Sequence, residues 1–115
     1  MLTAGRLARE DVVTCALDDR VGEVRERIVA SGYGFGLVTT VGGVLLGRLR
    51  RSSLDCDPNL RAGEVMEEGP STVRPDKTAA ALAKRLDDRE LRWAIVTNPE
   101  GQLIGIVKRE HLDSG

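Results

Sequence analysis

The stretch Val96–Val107, VTNPEGQLIGIV, has the pattern of two β-strands joined by a tight turn. Apolar residues flank the tetrapeptide Asn98–Gly101, in which the proline presets φ at the second turn position and the glycine closes the turn. The same design stands earlier in the chain as Val38–Leu49, VTTVGGVLLGRL, 58 residues before the later copy. The two stretches therefore predict two β-hairpins and suggest a longer internal repeat.

The repeat extends over nearly the whole chain. Shifting the sequence by 58 residues aligns Ala4–Leu54 with Ala62–Leu112 without a gap, and 13 of the 51 aligned pairs are identical. The identical pairs are Ala4/Ala62, Gly5/Gly63, Glu10/Glu68, Thr14/Thr72, Asp18/Asp76, Arg27/Arg85, Val38/Val96, Thr39/Thr97, Gly43/Gly101, Leu45/Leu103, Gly47/Gly105, Arg51/Arg109 and Leu54/Leu112. A gapless match of this length is improbable by chance, so we expect two copies of one structural unit.

Each copy carries the signals of one amphipathic helix. Val21, Val24 and Ile28 recur at i, i+3 and i+7, and the second copy repeats this stripe with Ala79, Leu82 and Leu86. An acidic or hydroxyl residue stands before each stripe, where a side-chain oxygen caps free N–H groups of a helix. The residues predicted to cap are Asp18 and Asp19 in the first copy, and Asp76 and Thr78 in the second.

Strand signals surround each helix. The predicted strands are Val12–Ala16, Phe35–Thr40 and Val44–Arg50 in the first copy, and Ser71–Arg74, Trp93–Thr97 and Gln102–Lys108 in the second. Val41–Gly43 and Asn98–Gly101 are the predicted turns, and short helices near Ser52–Asp55 and Glu110–Asp113 close the copies. The predicted unit is β-α-β-β-α.

One such unit of about fifty residues is too small to bury both its sheet and its helix stripe. Two tandem units that pack together about a pseudo-twofold axis solve this problem, whereas a solenoid needs at least three copies. We therefore predict an α/β (α+β) fold with one motif over 1–56, a linker over 57–61 with Pro58 as its breaker, and a second motif over 62–115.

Composition limits the class of protein. The 115 residues carry 17 basic and 18 acidic side chains, so no domain-wide positive field for nucleic acid or anionic lipid is expected. No apolar run approaches the ~18 residues of a membrane span, and the first residues do not resemble a signal peptide. Cys15 and Cys56 are too few for a disulfide scaffold. These features predict a cytoplasmic protein that acts without nucleic acid or membrane.

The sequence shows no catalytic or metal-binding pattern. His111 is the single histidine, and with two scattered cysteines it offers neither metal-ligand spacing nor a base for a nucleophile. The segment Gly32–Gly36, GYGFG, follows a predicted helix and precedes a strand, whereas a phosphate-binding glycine loop follows a strand and opens a helix. We therefore expect a non-enzyme, and a turn at this segment.

The sequence resembles the cystathionine-β-synthase (CBS) domain pair, also called a Bateman module. The resemblance is carried by AGEVMEEGPSTVRPDKTAAALAKRL (62–86) and RWAIVTNPEGQLIGIVKREHL (92–112), and more weakly by the first copy. It implies a regulatory module that binds AMP, ADP, ATP or S-adenosylmethionine in clefts between the two motifs. It also implies a homodimer whose ligand state is read by a regulated protein, which the sequence does not name.

The chain departs from the family at the ribose-reading motif, Gly-apolar-x-Thr/Ser-x-x-Asp, in which the carboxylate accepts from both ribose hydroxyls. Alignment on Gly47 puts Arg50 and Ser53 at the Thr/Ser and Asp places, and alignment on Gly105 puts Lys108 and His111 there. The long cations at both equivalent places suggest phosphate capture. Charged ends of strands are the competing interpretation.

The candidate ligand-binding residues follow from this alignment and from the family's use of the first and middle strands. Phe35 and Trp93 begin the middle strands, where either ring stacks on a base or packs in an interface. The full candidate set is Thr14, Cys15, Phe35, Arg50, Ser53, Thr72, Val73, Arg74, Trp93, Ile95, Lys108 and His111.

Two functions remain open from the sequence. The first is a regulatory module that binds an adenine nucleotide or another anionic small molecule. The second is a ligand-free interaction or dimerisation domain, which the missing ribose-motif aspartates favour.

Overall fold

The computed structural model describes residues 2–112 and divides the chain into two compact units. The first-repeat unit comprises residues 12–70, and the second-repeat unit comprises residues 1–11 together with 71–115. The bounds of these units differ from the predicted motif bounds of 1–56 and 62–115. The predicted bounds describe the repeat in the sequence, and we keep them as a proposal. Residues 1 and 113–115 of those bounds lie outside the described part of the chain.

The elements between Leu2 and Leu112 repeat one order twice. They are α1 (Ala4–Leu7), β1 (Val13–Cys15), α2 (Val21–Ser31), β2 (Phe35–Thr39), β3 (Leu45–Arg50), a first 3₁₀ helix (Arg51–Leu54), α3 (Ala62–Val65), β4 (Glu67–Glu68), β5 (Thr72–Val73), α4 (Ala79–Asp88), β6 (Trp93–Thr97), β7 (Leu103–Lys108) and a second 3₁₀ helix (Arg109–Leu112). The predicted mixture of strands and helices is confirmed, with most ends within one or two residues of the expected ones.

Each unit has its own sheet. In the first-repeat unit the strand order is β1-β2-β3-β4, and in the described part of the second-repeat unit it is β5-β6-β7. The first strand of each sheet runs parallel to the middle strand, and the hairpin strands are antiparallel. Gly43 and Gly101 have φ of 85° and 83°, a backbone conformation that glycine adopts without strain. The two predicted hairpins are confirmed.

The helix stripes bury as predicted except at Ala79, which is half-buried. Val21, Val24 and Ile28 of α2 are at most 2 % exposed, as are Leu82 and Leu86 of α4. Each stripe packs on one face of its own sheet, since Val38 and Leu49 share a cluster with α2, and Val96 and Val107 share one with α4. Each unit therefore has a separate apolar core between its helix and one sheet face.

The predicted helix caps are right for one copy and wrong for the other. The Thr78 hydroxyl accepts from the Ala81 N–H at 3.2 Å, as expected at the start of α4. In α2 the residue at the cap position is Arg20, without a side-chain cap, and the Asp19 carboxylate accepts from the Ala16 N–H instead. The first N–H groups of α2 donate to carbonyls of the linker, so its start needs no side-chain cap.

The segment that opens each sequence copy packs on the sheet of the other copy. Ile106 of β7 exchanges two backbone hydrogen bonds with Arg9, at 2.8 and 3.0 Å. In the first-repeat unit β4 pairs with β3 in the corresponding way, with Glu67 opposite Arg48. Neither short segment had been predicted as an edge of a sheet. The closing helices were predicted, but both are of the 3₁₀ type, and Asp113 lies outside the described residues.

Candidate functional site

Several predicted ligand residues of the second-repeat unit share the sheet face opposite α4, where Ile95 is buried at 3 % exposure. Thr72 lies opposite Ile95, and Ile95 lies opposite Ile106 while Trp93 lies opposite Lys108. Because side chains alternate along a strand, these residues point away from the core that contains Val96 and Val107. The corresponding face of the first-repeat unit carries Thr14, Phe35 and Arg50.

Two of the predicted residues belong to the cores instead. Cys15 and Val73 are each 6 % exposed and pack with the helix-facing clusters. Burial raises the pKa of the Cys15 thiol to about 11, so this sulfur is neither a nucleophile nor an anion at neutral pH. The side chain of Cys15 therefore has a structural position rather than a ligand-facing one.

The second-repeat unit has a small open cavity at the end of β5. Its volume is about 340 Å³, and its lining is Thr72, Val73, Arg74, Asp76, Lys77 and Arg85. Three of the five residues predicted on this unit's first and middle strands, Thr72, Val73 and Arg74, thus lie together. With three cations and one carboxylate, the lining favours an anion.

Hydrogen bonds position two of these cations. The Arg74 guanidinium donates to the Thr97 hydroxyl at 2.7 Å, and Thr97 is only 2 % exposed. The Arg85 guanidinium donates to the Ser71 hydroxyl at 2.9 Å. Both hydroxyl partners are uncharged, so these contacts leave the positive charges of Arg74 and Arg85 without a neutralising carboxylate. The guanidinium groups keep donors for a further acceptor, because each carries five N–H bonds.

The loop that carries Arg74 and Lys77 is fixed by α1. The Ala4 N–H donates to the Lys77 carbonyl and the Gly5 N–H donates to the Pro75 carbonyl, both at 2.8 Å. A Cβ on Gly5 would lie 2.8 Å from the Pro75 Cβ, so glycine permits this close approach. The cavity is therefore built on an anchored loop rather than on a free one.

The same place in the first-repeat unit has the opposite charge. Ala16 stands where the second copy has Arg74, and Asp19 stands where it has Lys77. Arg27, the counterpart of Arg85, donates to the Thr14 carbonyl. An anion would therefore meet two carboxylates, Asp18 and Asp19, at this end of the first-repeat unit.

The strand-end cations that were predicted to capture phosphate both have carboxylate partners. Arg50 contacts Glu67 at 2.8 Å, and Arg48 contacts the same carboxylate at 2.9 Å. Lys108 contacts Glu110 at 2.6 Å and lies 5.4 Å from the centroid of the Trp93 ring. The hydrogen bonds from Arg48 and Lys108 lower the pKa values of Glu67 and Glu110, respectively. These carboxylates stay charged at neutral pH and compete with any phosphate.

Other predicted residues lie apart from the cavity. Ser53 and His111 are half-buried on the two 3₁₀ helices, and neither belongs to the cavity lining. Phe35 is 8 % exposed and makes an edge-to-face contact with Tyr33, with centroids 6.5 Å apart. Lys77 and Arg85 are not among the residues predicted from the sequence, although Arg85 is identical to its repeat partner Arg27.

No group of three or more His, Cys, Asp or Glu side chains within residues 2–112 is arranged to hold a metal ion. No helix in the same range has the length and apolar character needed to cross a membrane.

Comparison with known proteins finds a family model that matches the second repeat. The family model described as "CBS domain" matches residues 62–113. No curated protein sequence matches the chain.

Three solved structures are similar over nearly the whole chain. The cytosolic domain of the Mg²⁺ channel MgtE in complex with ATP has 27 % identity and a TM-score of 0.85, with 98 % of this chain and 48 % of that chain covered. The CBS domains of a transcriptional regulator from Streptococcus pneumoniae have 18 % identity and a TM-score of 0.88, with 100 % and 99 % covered. CBSX2 from Arabidopsis thaliana, solved in complex with AMP, has 19 % identity and a TM-score of 0.84, with 99 % and 95 % covered.

The chain thus spans about half of the solved MgtE domain and nearly all of the other two solved chains. The prediction from the sequence is confirmed: residues 62–113 are a CBS domain, and the chain has the fold of a CBS-domain pair.

Proposed function

We propose that this CBS-domain pair is a non-catalytic regulatory module that binds an adenine nucleotide or a related anionic small molecule. The observation that carries the proposal is the convergence of Arg74, Lys77 and Arg85 on one cavity beside Thr72. Phosphate groups of the ligand lie at this cavity in our proposal, because guanidinium and ammonium groups are the side chains that bind phosphate best.

The distribution of charge between the units supports this assignment. The second-repeat unit contains ten basic and nine acidic residues, whereas the first-repeat unit contains seven basic and nine acidic ones. The edge segments follow the same trend, since Arg9 stands beside β7 where Glu67 stands beside β3. An anion is therefore favoured at the end of β5 and disfavoured at the equivalent end of β1 in the first-repeat unit.

The anchored loop gives a second line of support. Arg74 and Arg85 are already held by neutral hydroxyl groups, and the backbone at Lys77 is tied to α1. Binding then costs little ordering of these groups, which is a condition for useful affinity at a small polar cavity. ATP and AMP, the ligands of two similar structures, are anions of the required kind.

In the same proposal the module acts through a partner. Binding of the ligand shifts the population of conformations, and a regulated protein reads the shift. We further propose that the module works in the cytoplasm as a homodimer. Similar structures belong to a cytosolic domain of a channel and to a transcriptional regulator, which supports a regulatory role.

The test is thermal unfolding and calorimetric titration with AMP, ADP, ATP, NAD and S-adenosylmethionine. A ligand at a hundred times its dissociation constant should stabilise the protein by ~2.7 kcal/mol. Lys77→Ala should weaken the best ligand at least ~10-fold, because one charge-assisted contact is lost. Lys84→Ala is the matched control, since Lys84 is exposed on α4 and paired with Asp88, and its loss should change affinity less than ~2-fold.

A flat response to the whole panel at millimolar concentrations would contradict the proposal, as would equal losses in the two lysine variants. One observation favours a ligand-free interaction domain as the second candidate function. Arg50 and Lys108, which stand at the Thr/Ser place of the two ribose-reading motifs, already form ion pairs with Glu67 and Glu110. A flat panel together with a stable homodimer in solution would support this second function.

A further inference from the structure

The first-repeat unit contains a larger groove that none of the predicted ligand residues line. It has a volume of about 670 Å³ and lies between the second half of α2, the turn that follows α2 and the first 3₁₀ helix. Ile28 and Leu54 form its apolar floor and are each 2 % exposed, while Val29 forms a wall and is 67 % exposed. The volume lies in the range of small-molecule sites, which is ~300–1,000 Å³.

Glycine keeps the groove open at one end. Gly32 and Gly34 line it with φ of 77° and 79°, and a Cβ built on either residue would meet no atom within 4 Å. The second repeat has Glu90 and Arg92 at the equivalent places. The first repeat therefore turns the chain here with residues that leave space, and the second repeat does so with long side chains.

An ion pair marks the corresponding place in the second-repeat unit. Arg109 donates to both oxygens of Asp87 at 2.8 Å, and this pair connects the second 3₁₀ helix to α4. The equivalent residues in the first repeat are Arg51 and Val29. Arg51 is exposed, and within residues 2–112 its guanidinium has no hydrogen-bond or ion-pair partner, because a valine stands where the carboxylate would be.

The charges at the rim select the ligand. Arg25 and Arg51 line the groove with one carboxylate, that of Asp55, so the rim is cationic above an apolar floor. Arg25 is partly occupied, since it donates to the Cys56 carbonyl at 3.3 Å. Arg51 offers a planar pair of donors that matches a carboxylate or a phosphate. The Ser52 hydroxyl, also in the lining, is a further donor for the same head group.

We propose that this groove is a second binding site, which takes a small amphiphilic anion. The apolar body of the ligand packs on Ile28, Val29 and Leu54, and its anionic head binds Arg51. The site is independent of the proposed nucleotide site, because that cavity is lined by residues of the second-repeat unit and this groove by residues of the first.

The test uses octanoate as the probe and 1-octanol as its neutral counterpart, with backbone amide NMR as the readout. Octanoate should produce saturable shifts confined to the second half of α2, Gly32–Gly34 and the first 3₁₀ helix. Arg51→Gln should weaken octanoate at least ~10-fold and change 1-octanol less than ~2-fold, because only the charged contact is removed.

Val29→Asp is the decisive variant, because it places beside Arg51 the carboxylate that Asp87 supplies in the second repeat. Val29→Asp should weaken the affinity for octanoate at least ~10-fold. The protein should stay folded, since a substitution at an exposed position costs little stability. Val41→Asp is the matched control at another exposed valine, in the hairpin turn outside the groove lining. It should leave the octanoate affinity within ~2-fold.

Three outcomes would overturn the proposal. The first is the absence of saturable shifts in the groove up to the solubility limit of octanoate. The second is equal binding by the wild-type protein and Arg51→Gln. The third is a change of molecular mass, rather than of octanoate affinity, in Val29→Asp, which would identify the groove as a contact between copies of the chain. Saturating AMP should leave the octanoate-induced shifts unchanged, because the two sites have different lining residues. If the protein binds no nucleotide, the octanoate titration still tests the groove.

Discussion

In the second-repeat unit Arg109 holds Asp87 through two hydrogen bonds of 2.8 Å. At the same place in the first-repeat unit Arg51 stands next to Val29 and a groove of about 670 Å³. The arginine is identical in the two copies, and the groove goes with the loss of its carboxylate partner and with the glycines in the adjacent turn. A few substitutions in a repeat, one in the helix and two in the turn after it, therefore change the chemistry of a surface while the order of helices and strands around it is kept.

The cavity at the end of β5 shows the same kind of divergence, but here the second-repeat unit has the candidate site and the first-repeat unit lacks it. Arg74 and Lys77 are present in the second-repeat unit, where the first has Ala16 and Asp19. The hairpin-turn glycines Gly43 and Gly101 and the apolar character of the core positions are kept between the copies, whereas the positions that set local charge have diverged. The duplicated fold thus presents two different surfaces, each with its own preference for ligands.

Core truncation should have the largest effect and should differ between the copies. Leu86→Ala should lower the free energy of unfolding by about 3 kcal/mol, because it leaves an enclosed void beneath α4. Ile28→Ala, at the equivalent position, should cost about 2 kcal/mol, since its void opens toward the groove and water fills it. Urea denaturation of both variants measures the difference.

Val29→Ala is the control on the exposed wall of the groove, and its cost should be under ~0.5 kcal/mol. A larger loss for Ile28→Ala than for Leu86→Ala would contradict the comparison, because the first-repeat core would then be the more tightly enclosed.

The paired strand glycines should show a smaller difference. A Cβ on Gly105 would lie 2.5 Å from the Arg9 carbonyl oxygen, which is backbone, whereas a Cβ on Gly47 would lie 2.6 Å from the Met66 sulfur, which rotates away. Gly105→Ala should therefore cost about 2 kcal/mol, and Gly47→Ala about 1 kcal/mol or less. The midpoints of urea denaturation, at unchanged m-values, give the two losses in the free energy of unfolding. Equal losses would show that the segments beside Gly105 and Gly47 move aside equally easily.

Acidification should reveal the smallest effect. The hydrogen bond from Arg109 lowers the pKa of Asp87 below its ordinary value of 3.8. A carboxyl group with a lowered folded-state pKa stabilises the protein above its ordinary pKa, and the stabilisation is lost as the pH falls through the lowered pKa. Wild type should therefore be more stable than Asp87→Asn at pH 7, and the gap should narrow below about pH 4.

Val29→Asp tests the same pair in the other copy. If the new carboxylate pairs with Arg51, the variant should gain stability over the wild type at pH 7, and this gain should shrink below about pH 4, as for the Asp87 pair. Thermal unfolding between pH 2 and 7 measures the difference. A difference that stays constant over this range would show that the new carboxylate does not pair with Arg51.

Most of the fold could be predicted because its signals are local. The helix stripes at Val21–Ile28 and the turns at Gly43 and Gly101 depend on periodicity and on φ, which the residue types reveal. The exchange of the leading segments could not be predicted, because β4 is only two residues long and both of its side chains are exposed glutamates. The prediction that Asp19 caps α2 was wrong for a related reason. Carbonyl groups of the linker accept the hydrogen bonds from the first N–H groups of α2, which the carboxylate was expected to accept.

The candidate site was predicted only in part. Thr72 and Arg74 were found because the resemblance marks the first strand, but the partners of Arg50 and Lys108 were not. Glu67 reaches Arg50 across strands that lie seventeen positions apart in sequence, and no local pattern announces such a contact. The groove beside Val29 was overlooked because an exposed valine has no meaning until its repeat partner, Asp87, is seen to form an ion pair.

The exchange of leading segments has a consequence for a single copy of the repeat. Residues 2–11 complete the sheet edge of the second copy, and residues 62–68 complete that of the first. A single copy expressed alone would carry an edge segment suited to another molecule and would lack the one suited to itself. Two such molecules would satisfy each other by trading these segments, as in a domain-swapped dimer, whereas in this chain the trade is intramolecular.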